Sequence, residues 1–99
     1  MKVRYSPTAA KQLQDLYDYG ALASGADRAN VFVGSIVDYC ERLAAFPRRG
    51  TKRDDLRPGV RIVGFKRRVT IAFSVADTAV EILGVFYGGR SFESALADK

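Results

Sequence analysis

Residues 2–5 alternate between polar and apolar positions and read as a short strand. Ser6-Pro7 follows, with Ser suited to a helix N-cap and Pro to the first helical position, where its missing N–H is no loss. Ala9, Leu13, Leu16, Tyr17 and Gly20 then recur at spacings of three and four and predict an amphipathic helix that stops at Gly25. Asp27 is placed to cap a second helix, with Phe32, Ile36, Cys40 and Leu43 on one face, Val33 and Val37 broadening it, and Pro47 ending it. The short break around residues 24–27 predicts an antiparallel helical hairpin.

Residues 48–59 are polar and charged, punctuated by Gly50, Pro58 and Gly59, and read as a loop. Three β-rich runs follow at 60–65, 69–75 and 80–87, with turns between them, and read as a meander. The run 80–87 is apolar on both faces apart from Glu81, the pattern of a central strand with helices against one side. Residues 91–97 predict one or two further helical turns capped by Ser91. The fold class expected is α+β: an N-terminal strand, an antiparallel helical hairpin, then a three-stranded antiparallel meander, all in one domain over residues 1–99.

Composition narrows the chemistry. Histidine is absent, so neither Ser-His-Asp nor Cys-His catalysis is available, and the lone Cys40 excludes an intrachain disulfide and a thiolate metal site. No metal and no cofactor is expected. No apolar run reaches the ~20 residues that span a bilayer. The N-terminal segment alternates instead of entering an apolar block, so the cytoplasm is the expected compartment. The net charge is +5, and it is unevenly placed: residues 48–68 hold nine basic and two acidic side chains, and the remainder carries a slight negative balance. The field therefore comes from one stretch and favours an acidic partner.

Four segments in order carry a resemblance to a known family. They are Tyr5-Ser6-Pro7 before an Ala-rich helix, the run from Cys40 to Pro47, the run from Asp54 to Arg61, and the run from Val80 to Arg90. Together they resemble the ParE branch of the RelE/ParE toxin superfamily over nearly the whole chain. The resemblance implies a helical hairpin on a small antiparallel sheet, in agreement with the layout read from periodicity. It also implies a toxin of a type II toxin–antitoxin pair that poisons DNA gyrase and is neutralised by a ParD-like antitoxin in a hetero-oligomer. Many ParE-like sequences have His before the Gly-x-Arg motif. Tyr87 stands there in this chain, so no role of that imidazole carries over.

The candidate target-binding residues are Arg57, Arg61, Lys66, Arg67, Arg68, Tyr87 and Arg90. In the RelE branch, arginines matching Arg61 and Arg90 bind phosphate at the cleavage site, a task that suits the planar, five-donor guanidinium. The competing reading pairs Arg61 and Arg90 with Asp54, Asp55 or Glu81 at the sheet edge. Tyr87 reads as a phenolic acid or base, as a stacking ring, or as half-buried packing. Lys66, Arg67 and Arg68 read as a phosphate contact or as a solvated turn that discourages edge pairing. Three functions follow: a gyrase-binding inhibitor without chemistry of its own, a ribosome-dependent mRNA endoribonuclease of the RelE kind, and a basic module that binds nucleic acid directly. The first leads, because the catalytic set lacks an identifiable base. Val31, Phe32 and Val33 add apolar surface in excess of what so small a domain buries, which points to a permanent partner.

Overall fold

The computed structural model describes residues 1–88 and 92–97. In chain order it contains β1 (Lys2–Tyr5), α1 (Pro7–Ser24), α2 (Ala26–Arg42), β2 (Thr51–Lys52), β3 (Val60–Phe65), β4 (Val69–Val75), β5 (Ala79–Tyr87) and α3 (Phe92–Ala97). The strands form one sheet in the order β1-β5-β4-β3-β2. β1 lies parallel to β5, with Val3 opposite Val80, and the remaining neighbours are antiparallel. The expected α+β layout is present. The meander is its centre, extended by β1 on one side and on the other by β2, a two-residue strand inside the segment expected to be loop.

The helical hairpin turns on a single residue. Gly25 adopts φ 94° and ψ 157°, a region open almost only to glycine, and its N–H donates to Ala21 O at 3.0 Å. α2 consequently starts at Ala26. Asp27 therefore sits in the first turn, where its charge favours the helix dipole, and it makes no cap hydrogen bond. The far end also differs from expectation. Helix geometry stops at Arg42, before Pro47, because the N–H groups of Leu43, Ala44 and Ala45 bond to the carbonyls three residues back and tighten the chain into turns.

Ser6 caps α1, accepting from the Ala9 N–H at 3.0 Å, while its hydroxyl donates to Leu83 O at 2.9 Å. Gln12, nearly two turns further on, accepts the Val85 N–H at 2.6 Å. These bonds hold β5 where it runs past the end of β1. The β4–β5 register slips there, from Ala72 opposite Gly84 to Phe73 opposite Ile82, leaving Leu83 as the extra residue of a bulge. The slip lets Ile82 and Val85 both face the helices while Leu83 and Phe86 face away. It also requires Gly84: a Cβ there would stand 2.6 Å from the Phe86 ring.

Both faces of the sheet are covered. On the helix side Ile36, Cys40 and Leu43 pack on Ile71, Phe73 and Val80, all fully buried. On the other side Leu96 and Phe92 of α3 lie over Val60, Ala72 and Phe86. Polar contacts fasten α3 to the segment before β3. Arg53 forms a two-point ion pair with Asp55, at 3.0 and 2.9 Å, and reaches Glu93 at 3.4 Å, while Arg57 donates to Leu96 O at 3.3 Å. Ser91, the expected cap of this helix, lies outside the described residues.

Two tests follow from this framework. Gln12→Ala removes the acceptor of a half-buried N–H and should cost on the order of 1–3 kcal/mol, read as a lowered Tm at unchanged secondary structure by circular dichroism. The hydrogen-bonded Arg53 guanidinium holds the Asp55 carboxyl below the usual carboxylate range. Its stabilisation is therefore present above the unfolded-state pKa and lost as the pH falls through the lower folded-state value. Asp55→Asn should thus lower Tm at neutral pH and converge on the parent protein in strong acid, in melts from pH 7 to pH 2.

Candidate functional site

The basic segment divides by what each guanidinium touches. Arg53 and Arg57 are turned to the α3 side, as described above. Arg61 points to the helix side, where the chain leaves α2, and its Nη1 donates to Arg48 O at 3.0 Å and Arg49 O at 3.4 Å. Two of the three carboxylates considered as partners for Arg61 are otherwise engaged. Asp54 accepts the Gly59 N–H at 2.8 Å and lies 3.9 Å from Lys52, and Asp55 holds Arg53. Among the described residues Arg61 has no ion pair with Asp54, Asp55 or Glu81. Among the described residues its hydrogen bonds go to main-chain carbonyls alone, so it anchors the stretch of loop that carries Arg48 and Arg49.

Lys66, Arg67 and Arg68 form the turn between β3 and β4, and all three are exposed. Lys66 has φ 51° and Arg67 φ 68°, left-handed values that cost a non-glycine residue on the order of 1–3 kcal/mol each. The conformation is held from both sides. The Arg68 N–H bonds to Lys66 O at 2.7 Å, and Arg68 O accepts the Gly88 N–H at 2.7 Å. The Lys66 ammonium stands 5.5 Å from the Phe65 ring, which packs on Tyr39 at 4.8 Å between centroids. Arg49 continues the row, 6.0 Å from the Tyr39 ring and 5.4 Å from the Phe46 ring. Cations over aromatic faces at these distances attract through the ring quadrupole. The sequence singles out the turn and counts Arg49 in the basic segment and Phe46 in the run from Cys40 to Pro47, but nothing in their spacing brings them together with Tyr39.

Tyr87 ends β5 level with Val69 and Phe65, and it packs edge-on against Phe32 at 6.0 Å. The half-buried packing reading fits this position. With Gln12, Asp15, Leu16, Tyr19 and Val85 it lines a cleft of about 480 Å³ between α1 and β5. Arg61 pairs across the sheet with Phe73, four residues along β4 from the partner of Tyr87 and two strands away from β5. The backbone positions of Arg61 and Tyr87 are therefore separated by roughly 13 Å along the strands and about 10 Å across them. Arg57 is on the opposite side of the sheet, beside α3. The structure thus does not gather Arg57, Arg61 and Tyr87 at one point, and Arg90 lies outside the described residues.

Titrating groups in the interior are committed to packing. Burial first, then its hydrogen bond to Glu41 at 2.9 Å, pushes the Tyr5 phenol upward, away from ionisation. Burial likewise pushes the Cys40 thiol up to about 12, which keeps it protonated and unreactive near neutral pH. Among the described residues no three His, Cys, Asp or Glu side chains cluster as a metal site, and no helix is long and apolar enough to cross a membrane.

The family model described as "ParE toxin of type II toxin-antitoxin system, parDE" matches residues 3–92. No curated protein matches the chain at a significant level. Among solved structures, the chain is similar to one from a chromosomal ParDE toxin–antitoxin system of P. aeruginosa. The likeness has a TM-score of 0.76 and 26% identity, over 89% of this chain and 96% of that one. With the helical hairpin, the five-stranded sheet and the match running from β1 to the start of α3, this chain belongs to the ParE toxin family of type II toxin–antitoxin systems.

Proposed function

We propose that the protein acts by binding DNA gyrase, with no covalent chemistry of its own, and that a ParD-like antitoxin neutralises it in a hetero-oligomeric complex. Gyrase is the target implied by the sequence resemblance to the ParE branch. The observation that favours a binding inhibitor over a RelE-like ribonuclease is the separation of Arg61 from Tyr87. A ribonuclease must activate the ribose 2′-hydroxyl and stabilise the leaving group at one scissile phosphate, and its acid, base and phosphate ligands lie within hydrogen-bond reach of that point. The backbone positions of Arg61 and Tyr87 lie roughly 16 Å apart on the sheet, and the Arg61 guanidinium is turned to the Arg48 and Arg49 carbonyls instead of toward Tyr87. The hydrogen bonds of Arg61 to main-chain carbonyls give it a structural task besides. The target-facing cations in this reading are Lys66, Arg67 and Arg68, with Tyr87 and Arg90 in support, while Arg57 and Arg61 serve mainly to hold α3 and the loop before β2.

Apolar surface supports the antitoxin. Tyr19, Leu22 and Val31 are 70%, 91% and 73% exposed, three large apolar side chains on one helical hairpin that a partner would cover. The partner expected is small and acidic, complementing the net charge of +5.

Two measurements check the proposal. Freed from antitoxin, the protein should trap gyrase–DNA cleavage complexes and inhibit supercoiling while ribosome-programmed mRNA stays intact; codon-positioned cuts with unaffected gyrase would transfer it to the ribonuclease branch. Expressed with an antitoxin, it should co-purify as a stable complex, and a monomeric, soluble and non-toxic protein expressed alone would refute the partner.

A further inference from the structure

The row of cations and rings between α2 and the β3–β4 turn is not explained by the fold, and the gyrase reading uses only the turn at one end of it, leaving Phe46, Arg49 and Tyr39 without a task. Phe46 is 61% exposed although it belongs to a turn with an apolar interior beside it, where Leu43 is fully buried. The Arg49 guanidinium lies against one side of its ring and leaves the rest open. From there Tyr39 and Phe65 bridge to Lys66 with successive separations of 6.0, 4.8 and 5.5 Å, so the two ends of the row share one continuous surface. Among the described residues none of Arg48, Arg49, Lys66, Arg67 or Arg68 forms an ion pair, because the two carboxylates of this segment hold Lys52 and Arg53. The turn keeps two of these cations in left-handed backbone, where Asn-Gly would sit without strain.

We propose that this surface binds single-stranded nucleic acid, with Arg48, Arg49, Lys66, Arg67 and Arg68 on successive phosphates and Phe46 stacking on a base. Arg48 shares a shallow hollow with Phe46 and Arg49, and Arg67 and Arg68 share the turn with Lys66. Cations so placed, without ion pairs among the described residues, match a phosphodiester backbone, and an exposed ring beside them matches an unstacked base, the combination used by proteins that hold single strands. A duplex offers the phosphates but keeps its bases stacked, leaving Phe46 without a partner. An acidic protein would be expected to need an apolar interface core around the charges. The other large exposed apolar side chains, Met1, Tyr19, Leu22, Val31 and Val75, are carried elsewhere, on α1, the start of α2 and the strand ends. The proposal does not depend on the target being gyrase and is tested without that enzyme.

The experiment is fluorescence anisotropy of the full chain with labelled oligo(dT), oligo(U), a blunt 20-base-pair duplex and a poly-glutamate peptide, across a KCl series. Binding to a single strand should exceed binding to the duplex, and the two oligonucleotides identify whether DNA or RNA is preferred. The slope of log K against log salt should be about −3.5 if all five cations engage. Lys66→Asn with Arg67→Gly should flatten that slope by about 1.4. The same variant should melt no lower than the parent, since Asn-Gly favours the turn, so lost binding cannot be ascribed to unfolding. Phe46→Ala should weaken single-strand binding roughly tenfold and leave duplex binding unchanged. Equal affinity for duplex and single strand with no effect of Phe46→Ala, binding of the peptide alone, or no binding to any probe at low salt would each overturn the proposal.

Discussion

Everything in this fold hangs on the parallel pairing of β1 with β5, the first strand of the chain against the last. A parallel neighbour cannot be reached by a tight turn, so the chain must cross over the sheet between them, and the helical hairpin begins that crossing. Four residues of ladder are a short hold for such a connection. Ser6 and Gln12 extend it beyond the last β1 residue by bonding Leu83 O and the Val85 N–H from the first two turns of α1. The bulge at Leu83 exists within this extension, and it turns Ile82 and Val85 to the helices and Leu83 and Phe86 to α3. One strand thereby joins both halves of the core.

Charge is distributed by the same architecture. The segment between α2 and β4 holds most of the positive excess, yet its arginines have unlike tasks. Arg53 and Arg57 secure α3, Arg61 anchors the loop against β3, and Arg49 with the turn residues lies free on the surface. Burying or partly burying a guanidinium is costly unless its donors are used, and the inward-turned ones meet carboxylates or carbonyls, although Arg57 does so only through Nη2 and keeps its Nε buried without a partner among the described residues. The outward-turned ones meet aromatic faces and solvent. A toxin that is neutralised by one partner and directed at another needs surfaces that do not compete with its own core for the same donors.

Much of the element layout was legible in the sequence because it rests on local rules. Ser6-Pro7 marks a helix start from any direction, the three-and-four spacing of Leu13, Leu16 and Gly20 defines a face, and the runs at 60–65, 69–75 and 80–87 become strands within a residue of expectation. The misplacements have equally local causes. Asp27 looked like a cap because the glycine before it can take a conformation that makes one residue enough for the reversal. β2 escaped notice since two exposed polar residues have no periodicity, and they form a strand only because β3 offers an open edge.

The candidate site was less legible, and the reason is physical. Composition and spacing determined that the chemistry excludes histidine and metal-thiolate sites, that the positive field is concentrated in residues 48–68, and that Cys40 belongs to the core. Only the tertiary structure decided which cations are spent on holding the fold. Arg57 and Arg61 are four residues apart in sequence and end on opposite sides of the sheet, where one finds the Leu96 carbonyl and the other those of Arg48 and Arg49. The juxtaposition of Arg49, Tyr39, Phe65 and Lys66 depends on a helix crossing a strand, and no one-dimensional pattern encodes that crossing. Sequence periodicity specifies which face of an element is apolar; which faces meet, and which charges are left over when they do, is determined by how the elements pack.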